Sequence, residues 1–142
     1  ITITGNMTTP TNVVFSSRIY VTRSTCLIQL RGMETTYTGG DSISIERNPG
    51  AVFLDKLVAT NSTSTYAALY VSYSPSVCIQ NSTLSNHKYG IYAVGAARVF
   101  SYNNSGSNNT TGLCANGSTI MKGSTQPGGT TGEAIANGGV IR

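Results

Sequence analysis

The sequence has little charge, a single histidine and no tryptophan. Nine Lys and Arg and five Asp and Glu, 10% of the 142 residues, give a formal net charge of +4 at pH 7. The basic residues are scattered singly, whereas a nucleic-acid interface would cluster them. No apolar run is long enough to span a bilayer. We therefore expect neither nucleic-acid binding nor membrane insertion.

The cysteines are few and widely spaced. Cys26, Cys78 and Cys114 form no C-x-x-C pair, and each lies in an apolar, strand-like run. We expect buried free thiols. With His87 as the single histidine, the chain offers too few ligands for a zinc site, and we expect no metal or cofactor.

The chain opens on Ile1 with "ITITGN", which is typical of a fragment or a processed piece of a longer protein. The length is sufficient for one hydrophobic core. Because no linker interrupts the sequence, we expect a single domain over residues 1–142.

Val, Ile, Thr and Tyr are common, which favours strands over helices, and a short motif recurs. "ALYV" (Ala68–Val71), "GIYA" (Gly90–Ala93) and "GLCA" (Gly112–Ala115) follow one another at a constant spacing. "IANG" (Ile135–Gly138) follows "CANG" (Cys114–Gly117) at a spacing one residue shorter. Such a period indicates a repeat architecture.

Each repeat, clearest over residues 66–142, has two short strand-like pieces, a Gly or polar corner between them and a longer polar turn after them. Units this short cannot bury an apolar face alone, so equivalent strands must stack about 4.8 Å apart. The pattern predicts an all-β fold, a parallel β-helix of six or seven coils, with a sandwich or barrel as the alternative. The predicted inward pairs of the first strand are Leu69 and Val71, Ile91 and Ala93, Leu113 and Ala115, and Ala134 and Ala136.

The first half of the chain is compatible with the same fold. Ile19 and Val21 match Ile43 and Ile45, with the same spacing for both pairs. Asn in the turns "QNS" and "YNN" fits as well, since Asn tolerates left-handed backbone.

The outward positions of the repeats are apolar too. The predicted outward columns are Tyr70, Tyr92, Cys114 and Ile135 in the first strand, and Cys78, Phe100, Met121 and Ile141 in the second. Such a patch marks a contact between chains or a ligand surface. We predict a homotrimer around a shared axis, with contacts through Tyr92, Phe100, Cys114, Met121 and Ile135. A register shifted by one residue is a further alternative, because it would turn every side chain to the other face.

The stretch "YGIYAVGAARVFSYNNSGSNNTTGLCANGSTIMKGSTQPGG" resembles the pectin-lyase-like right-handed β-helix repeats of tailed-phage tail spikes, tail fibres and neck appendages. The closing "STQPGGTTGEAIANGGVIR" resembles the end of β-helix regions in appendages of phages and prophages of Gram-positive bacteria. The resemblance covers about residues 66–142. It implies a right-handed β-helix in a homotrimeric, extracellular virion part that binds host surface glycan and sometimes degrades it.

Catalysis would need a suitable pair of acids. Polysaccharide hydrolysis uses two carboxylates roughly 5 to 9.5 Å apart, and Asp41, Glu46 and Asp55 are the candidates, since stacked coils would bring them near one another. Each also has a structural interpretation: Asp41 as a turn residue, Glu46 in an exposed pair with Arg47, and Asp55 as a solvated strand position. His87 lacks the motif of a Ser–His–Asp set. We expect no catalysis, with a glycan depolymerase as the alternative.

Glycan binding needs aromatic faces beside polar groups, and Tyr supplies both. The tyrosines concentrate in the fourth and fifth coils, and the predicted glycan-binding residues are Tyr66, Tyr70, Tyr73, Tyr92 and Tyr102. The sequence thus predicts a structural and receptor-binding module of a phage tail spike, fibre or appendage that attaches to host cell-surface polysaccharide. The alternatives are a polysaccharide-degrading tail-spike domain and a bacterial surface adhesin.

Overall fold

The computed structural model describes residues 1–60 and 65–142, which form β-strands and one short 3₁₀ helix, Pro10–Asn12. The strands are β1 Thr2–Thr4, β2 Val14–Phe15, β3 Ile19–Thr22, β4 Ile28–Thr35, β5 Ile43–Glu46, β6 Val52–Thr60, β7 Ala67–Ser72, β8 Val77–Gln80, β9 Thr83–Ser85, β10 Tyr89–Val94, β11 Arg98–Tyr102, β12 Asn109–Asn116, β13 Thr119–Gly123, β14 Gly129–Ala136 and β15 Val140–Ile141.

The strands lie in two stacks. Sheet A has the order β1-β4-β6-β8-β11-β13-β15, with β2 beside β4 and β9 beside β6, and sheet B has the order β14-β12-β10-β7-β5-β3. Every strand pairing among the described residues is parallel. The chain passes from one sheet to the other and back, so that each coil lies on the previous one. The result is a β-solenoid of about six coils, which confirms the predicted parallel β-helix architecture.

The inner columns form the hydrophobic core. Ile91 pairs with Leu69 on one side and with Leu113 on the other, and all three side chains are buried. Ile19 pairs with Ile43, as the match between their two segments predicts. Burying such an aliphatic side chain stabilises the fold by about 1.5–3 kcal/mol. Because no coil can bury its own face, this stabilisation depends on the coils above and below.

Residues with positive φ stack at equivalent bends of sheet A, within β4 and β6 and directly after β8, β11 and β13. They are Gly32 at 63°, Lys56 at 52°, Asn81 at 52°, Asn103 at 50° and Ser124 at 52°. Only Gly adopts this conformation freely, and Asn tolerates it better than other residues do. Asn81 of "QNS" and Asn103 of "YNN" thus occupy left-handed positions, as the expectation for these turns requires, whereas Asn104 does not.

A buried asparagine ties three segments together beside one such bend. Asn104 Oδ1 accepts a hydrogen bond from the backbone N–H of Ser82 at 3.0 Å, and its Nδ2 donates to the carbonyl of Ile79 at 3.0 Å and to Ser101 Oγ at 2.8 Å. The side chain is fully buried. It satisfies backbone groups that the bend removes from the strand ladders.

Two glycines explain why the motif repeats. A Cβ atom on Gly90 would lie 2.7 Å from the carbonyl oxygen of Gly112 and 2.9 Å from Cβ of Pro127. A Cβ atom on Gly112 would lie 2.2 Å from the carbonyl oxygen of Pro127. Neighbouring backbone thus excludes any larger residue at these two positions. In β10 and β12 a Gly therefore directly precedes the alternating apolar residues.

The long polar turn that the sequence predicts after the second strand is only partly a turn. It contains β9, which pairs with Val58–Thr60 at the end of β6, and Leu84 in its centre is fully buried. The sequence pattern did not predict this short third strand of the coil, because a single apolar residue, Leu84, in a polar run gives no alternation of apolar and polar residues.

In the last coil the observed register differs from the predicted register by one residue. Ala134 pairs with Cys114, and Ile135 pairs with Ala115, so Ile135 continues the inner column and Ala134 and Ala136 do not. In the second strand Ile141 pairs with Ile120, which is inward as well. The predicted outward positions of Ile135 and Ile141 are therefore wrong. Ile135 is nevertheless 58% exposed, because no further coil among the described residues covers it.

The cysteines are free thiols, as predicted, but they are not all buried. Cys114 is buried, Cys78 is half-buried and Cys26 is exposed. Cys26 lies in the connection before β4, outside any strand, because the apolar run that suggested a strand becomes one only from Ile28 onward.

Candidate functional site

Tyrosine rings pack against one another on the outer face of sheet B. The rings of Tyr89 and Tyr92 stack with their centroids 4.5 Å apart at an angle of 25°. Tyr70 meets Tyr92 edge to face, with centroids 5.8 Å apart at 61°. Such contacts stabilise the arrangement by about 0.5–1.5 kcal/mol each beyond the area that they bury. The cluster is therefore ordered by its own packing.

The strand register and one irregularity place these rings together. Tyr70 and Tyr92 are direct neighbours on the adjacent strands β7 and β10. Within β10 the inward–outward alternation breaks, because both Gly90 and Ile91 are buried. Tyr89 and Tyr92 consequently share the outer face although they lie three positions apart, where regular alternation would separate them.

The cluster forms one wall of a shallow pocket of about 300 Å³. Its lining combines aromatic, charged and hydroxyl side chains: Asp41, Thr65, Tyr66, Ala67, Tyr70, Lys88, Tyr89 and Tyr92. We call this surface the tyrosine pocket. A concave site with apolar ring faces and a few convergent polar groups is the usual form of a small-molecule site.

One cation and one carboxylate flank the rings. Lys88 Nζ lies 5.3 Å from the centroid of Tyr89, within the range of a cation–π contact. Asp41 Oδ1 accepts a hydrogen bond from the backbone N–H of Ala67 at 2.8 Å. Burial raises the pKa of Asp41, and that hydrogen bond and the charge of Arg18 oppose the rise.

The phenol groups supply hydrogen-bonding positions. Asn116 Nδ2 donates to Tyr92 Oη at 3.2 Å, which leaves the hydroxyl hydrogen of Tyr92 available to a ligand. Burial raises the pKa of the Tyr70 phenol, so this group stays protonated at neutral pH. The tyrosine pocket thus offers ring faces, phenol donors, an ammonium group and a carboxylate within one concave surface.

The structure brings together only part of the predicted glycan-binding set. Tyr66, Tyr70 and Tyr92 line the tyrosine pocket. Tyr73 and Tyr102 do not: the ring of Tyr73 covers Gly95, where a Cβ atom would lie 2.6 Å from it, and the ring of Tyr102 covers Gly123 in the same way. These two exposed rings pack over glycines of the next coil.

Four lining residues were not among the predicted site residues, and two of them, Lys88 and Tyr89, supply the charge and one ring of the stacked pair. Tyr89 and Lys88 precede the alternating strand motif, and simple alternation from Tyr92 places Tyr89 on the opposite face. The signal available in the sequence was Gly90, which follows Tyr89 directly, since Gly inside a strand pattern often marks an irregularity.

The structure does not bring the three candidate acids together in one site. Asp41 lines the tyrosine pocket, and the negative charge of Glu46 acts on it, which contributes to the raised pKa of Asp41. Glu46 itself is half-buried outside that lining and accepts a hydrogen bond from Tyr20 Oη at 3.4 Å through Oε2. No ion pair joins Glu46 to Arg47 among the described residues.

Asp55 lies on sheet A, away from the other two acids, and the expectation that it is solvated is wrong. Asp55 is only 3% exposed, and Arg31 donates a hydrogen bond to its Oδ2 at 3.1 Å. Gln80 and Asn81 donate to Oδ1 at 3.3 and 3.0 Å. Despite burial, these hydrogen bonds hold the pKa of Asp55 below its ordinary value. Asp55 therefore ties three coils together rather than facing a substrate.

His87 is fully buried with both ring nitrogens engaged. Nδ1 lies 2.6 Å from the carbonyl oxygen of Ser85, so it must carry the proton and donate. Nε2 lies 2.9 Å from Ser42 Oγ and accepts from that hydroxyl. Burial lowers the pKa of the imidazole. A Ser–His pair with no exposed surface cannot reach a substrate, and its role is structural.

The outward column of sheet A is apolar and partly exposed. Phe53, Cys78, Phe100 and Met121 follow one another in register on β6, β8, β11 and β13, and all are half-buried. Cys114, in the outward column of sheet B, is already buried within the single chain. We call the sheet A column the apolar column.

Among the described residues, no group of three or more His, Cys, Asp or Glu side chains is placed to hold a metal ion. In the same part of the chain, no helix has the length and apolar character needed to cross a membrane. No family model, curated protein or solved structure matches the chain. The tyrosine pocket therefore stands as the candidate functional site on its own geometry and chemistry.

Proposed function

We propose that this β-solenoid is a receptor-binding module of a phage tail spike, tail fibre or neck appendage, and that it attaches to host cell-surface polysaccharide through the tyrosine pocket. The observation that carries the proposal is the stacked pair Tyr89 and Tyr92 in one concavity with Asp41 and Lys88. The assignment to a virion rests on the resemblance of the repeats, and it makes the module extracellular.

The chemistry of the pocket suits a sugar ring. Phenol rings cover the apolar faces of a pyranose, while phenol, carboxylate and ammonium groups bond to its hydroxyls. A volume of about 300 Å³ lies at the lower end of the range for ligand sites, which fits one or two sugar units. A long glycan would therefore contact this pocket with a short segment and bind more strongly when several copies of the module engage it.

Binding of purified host wall polysaccharide tests the proposal. Tyr92→Ala removes the ring that contacts both neighbours, and we expect about tenfold weaker binding, since each ring contact contributes about 1 kcal/mol or more. Tyr102→Ala is the matched control, because it removes a half-exposed ring from the other sheet. Equal binding by wild type and Tyr92→Ala, with both variants folded, would reject the tyrosine pocket as the glycan site.

A polysaccharide-degrading function is the second candidate, and one observation favours it. Burial raises the pKa of Asp41, which is the direction that a general acid requires. Incubation with the same polysaccharide separates the candidates. New reducing ends formed by the wild type and lost in Asp41→Asn indicate a depolymerase, whereas an intact polymer bound by both proteins indicates a binding module.

Assembly as a homotrimer is part of the proposal, and the apolar column is its contact surface. Tyr92 serves the tyrosine pocket, Cys114 is covered within the chain, and Ile135 belongs to the inner column, so Phe100 and Met121 remain as the predicted contacts. We expect the wild type to sediment as a trimer at micromolar concentration and Phe100→Asp as a monomer. Tyr73→Asp, an exposed ring elsewhere, serves as control. A wild-type monomer contradicts the trimer.

A further inference from the structure

A second pocket, of about 360 Å³, lies at the corner where the chain passes from sheet B to sheet A in the last coils. It is formed at stacked bends with positive φ, among them Ala96 at 61°, Gly117 at 57° and Gly138 at 72°. Small residues make its floor, and a Cβ atom on Gly138 would meet nothing within 4 Å. A ligand group can therefore approach the backbone closely here.

Two arginines supply the charge of this corner pocket. Arg98 and Arg142 both line it, and no acidic side chain does. The two ion pairs among the described residues join Arg31 to Asp55 and Lys122 to Glu133, so neither lining arginine is neutralised by a carboxylate within that part of the chain. The corner pocket is a concentration of positive charge without an internal partner.

Arg98 is an exposed residue whose guanidinium packs over a neighbouring aromatic ring. Its guanidinium carbon lies 5.4 Å from the centroid of the Phe100 ring, a cation–π contact that holds the group without using its N–H donors. Thr119, in register with Arg98 on the adjacent strand, adds a hydroxyl to the lining. Planar guanidinium donors match the oxygen pairs of carboxylate and phosphate groups.

We propose that the corner pocket is an oxyanion-binding site that takes the carboxylate or phosphate group of an anionic ligand. The unpaired arginines provide the charge, the Thr119 hydroxyl a further donor, and the small residues the room for close approach. The site is separate from the tyrosine pocket and does not depend on the proposed glycan function. An acidic or phosphate-bearing polymer and free phosphate share the required chemistry.

Titrations followed by backbone amide NMR shifts test the site, with inorganic phosphate, glucuronate and glucose added at constant ionic strength. We expect phosphate, glucuronate or both to shift the amides of Gly117 and Thr119 saturably, and glucose to leave them unchanged. Tighter binding of glucuronate identifies an acidic sugar as the preferred ligand, and tighter binding of phosphate identifies a phosphate group. The absence of saturable shifts, or equal shifts with glucose, would overturn the proposal.

Substitutions distinguish a specific anion-binding site from general attraction to positive charge. Arg98→Gln should weaken anion binding by about tenfold or more, because it removes hydrogen bonds to a charged group. Arg47→Gln is the matched control, an exposed arginine at the equivalent bend of another coil, and it should leave the affinity unchanged. Equal weakening by both would show nonspecific electrostatics and contradict the site. Tyr92→Ala should retain anion binding, which separates this test from that of the tyrosine pocket.

Discussion

Replacing His87 by Asn should remove a defined part of the pH dependence of stability. The imidazole is fully buried, donates through Nδ1 to the Ser85 carbonyl and accepts at Nε2 from Ser42. A proton added to Nε2 would displace the Ser42 hydrogen bond and place a charge in the core. Burial accordingly lowers the pKa of His87 below the ordinary value of 6.5.

The sign and size of the effect follow from proton linkage. A pKa that is lower in the folded protein means that the unfolded chain binds more protons below about pH 6.5, so stability is present above that pH and is lost as the pH falls. One histidine contributes at most about 1.4 kcal/mol per pH unit. Between pH 7.5 and 5.5 the free energy of unfolding should therefore fall by up to about 1.4 kcal/mol through His87 alone.

Urea unfolding of wild type and His87→Asn at pH 5.5, 6.5 and 7.5 measures this contribution as a difference between the two proteins. The raised pKa of Asp41 is common to both proteins, so its contribution cancels in the difference. We expect the wild type to lose stability relative to the variant as the pH falls. A constant difference across the range would refute the assignment of a buried, neutral imidazole. Ser42→Ala should also destabilise the protein, by about 1–3 kcal/mol, because it leaves Nε2 without a donor.

Three further predictions concern the bends and the thiols. Asn104→Ala should lower the free energy of unfolding by about 3 kcal/mol, because buried backbone groups lose their partners. Asn12→Ala, at an exposed position without positive φ, should change it by less than about 0.5 kcal/mol in the same urea titration. Ala96→Gly should raise thermal stability by about 0.5 kcal/mol, since relief of left-handed strain exceeds the added chain entropy; a lower melting temperature contradicts this. A thiol reagent should label Cys26 rapidly in the folded protein and Cys114 only after unfolding, because Cys26 is exposed and burial raises the pKa of Cys114; equal rates would contradict the fold at these positions.

The solenoid could be predicted because its strongest signal is periodic. Leu69, Ile91 and Leu113 recur at one spacing, and a coil that cannot bury its own face leaves stacking as the main solution. Asn81 and Asn103 marked the bends because few residues tolerate positive φ. These features depend on local backbone chemistry and on simple alternation, and both are visible in a single sequence.

The last coil could not be placed because its residues carry no distinct inward preference. Ala134, Ile135 and Ala136 are all apolar, so either alternation buries an apolar set, and the shorter connection before β14 decides the register. The sequence comparison matched "IANG" with "CANG" through the residues of the corner. The strand before that corner follows β12 at a shorter spacing than the corner does, because Ala115 pairs with Ile135. A one-residue difference of this kind turns each side chain to the opposite face.

The tyrosine pocket was only partly visible for a similar reason. Tyr70 and Tyr92 lie on one face by regular alternation, whereas Tyr89 joins them through the irregularity at Gly90. Tyr73 and Tyr102 have the right chemistry, but they occupy corners where each covers a glycine of the next coil. Composition identified the kind of surface, and the bends of the coil determined which rings share it.

The proposed contact between the tyrosine pocket and the glycan can be tested directly by NMR of the tyrosine rings. With ¹³C-labelled tyrosine, the ring signals are followed as purified host polysaccharide is added, after assignment by single Tyr→Phe substitutions. We predict saturable shifts of the Tyr70, Tyr89 and Tyr92 rings and constant signals for Tyr73 and Tyr102. Shifts confined to Tyr73 and Tyr102, or no shift of any ring while the polysaccharide binds, would contradict the account.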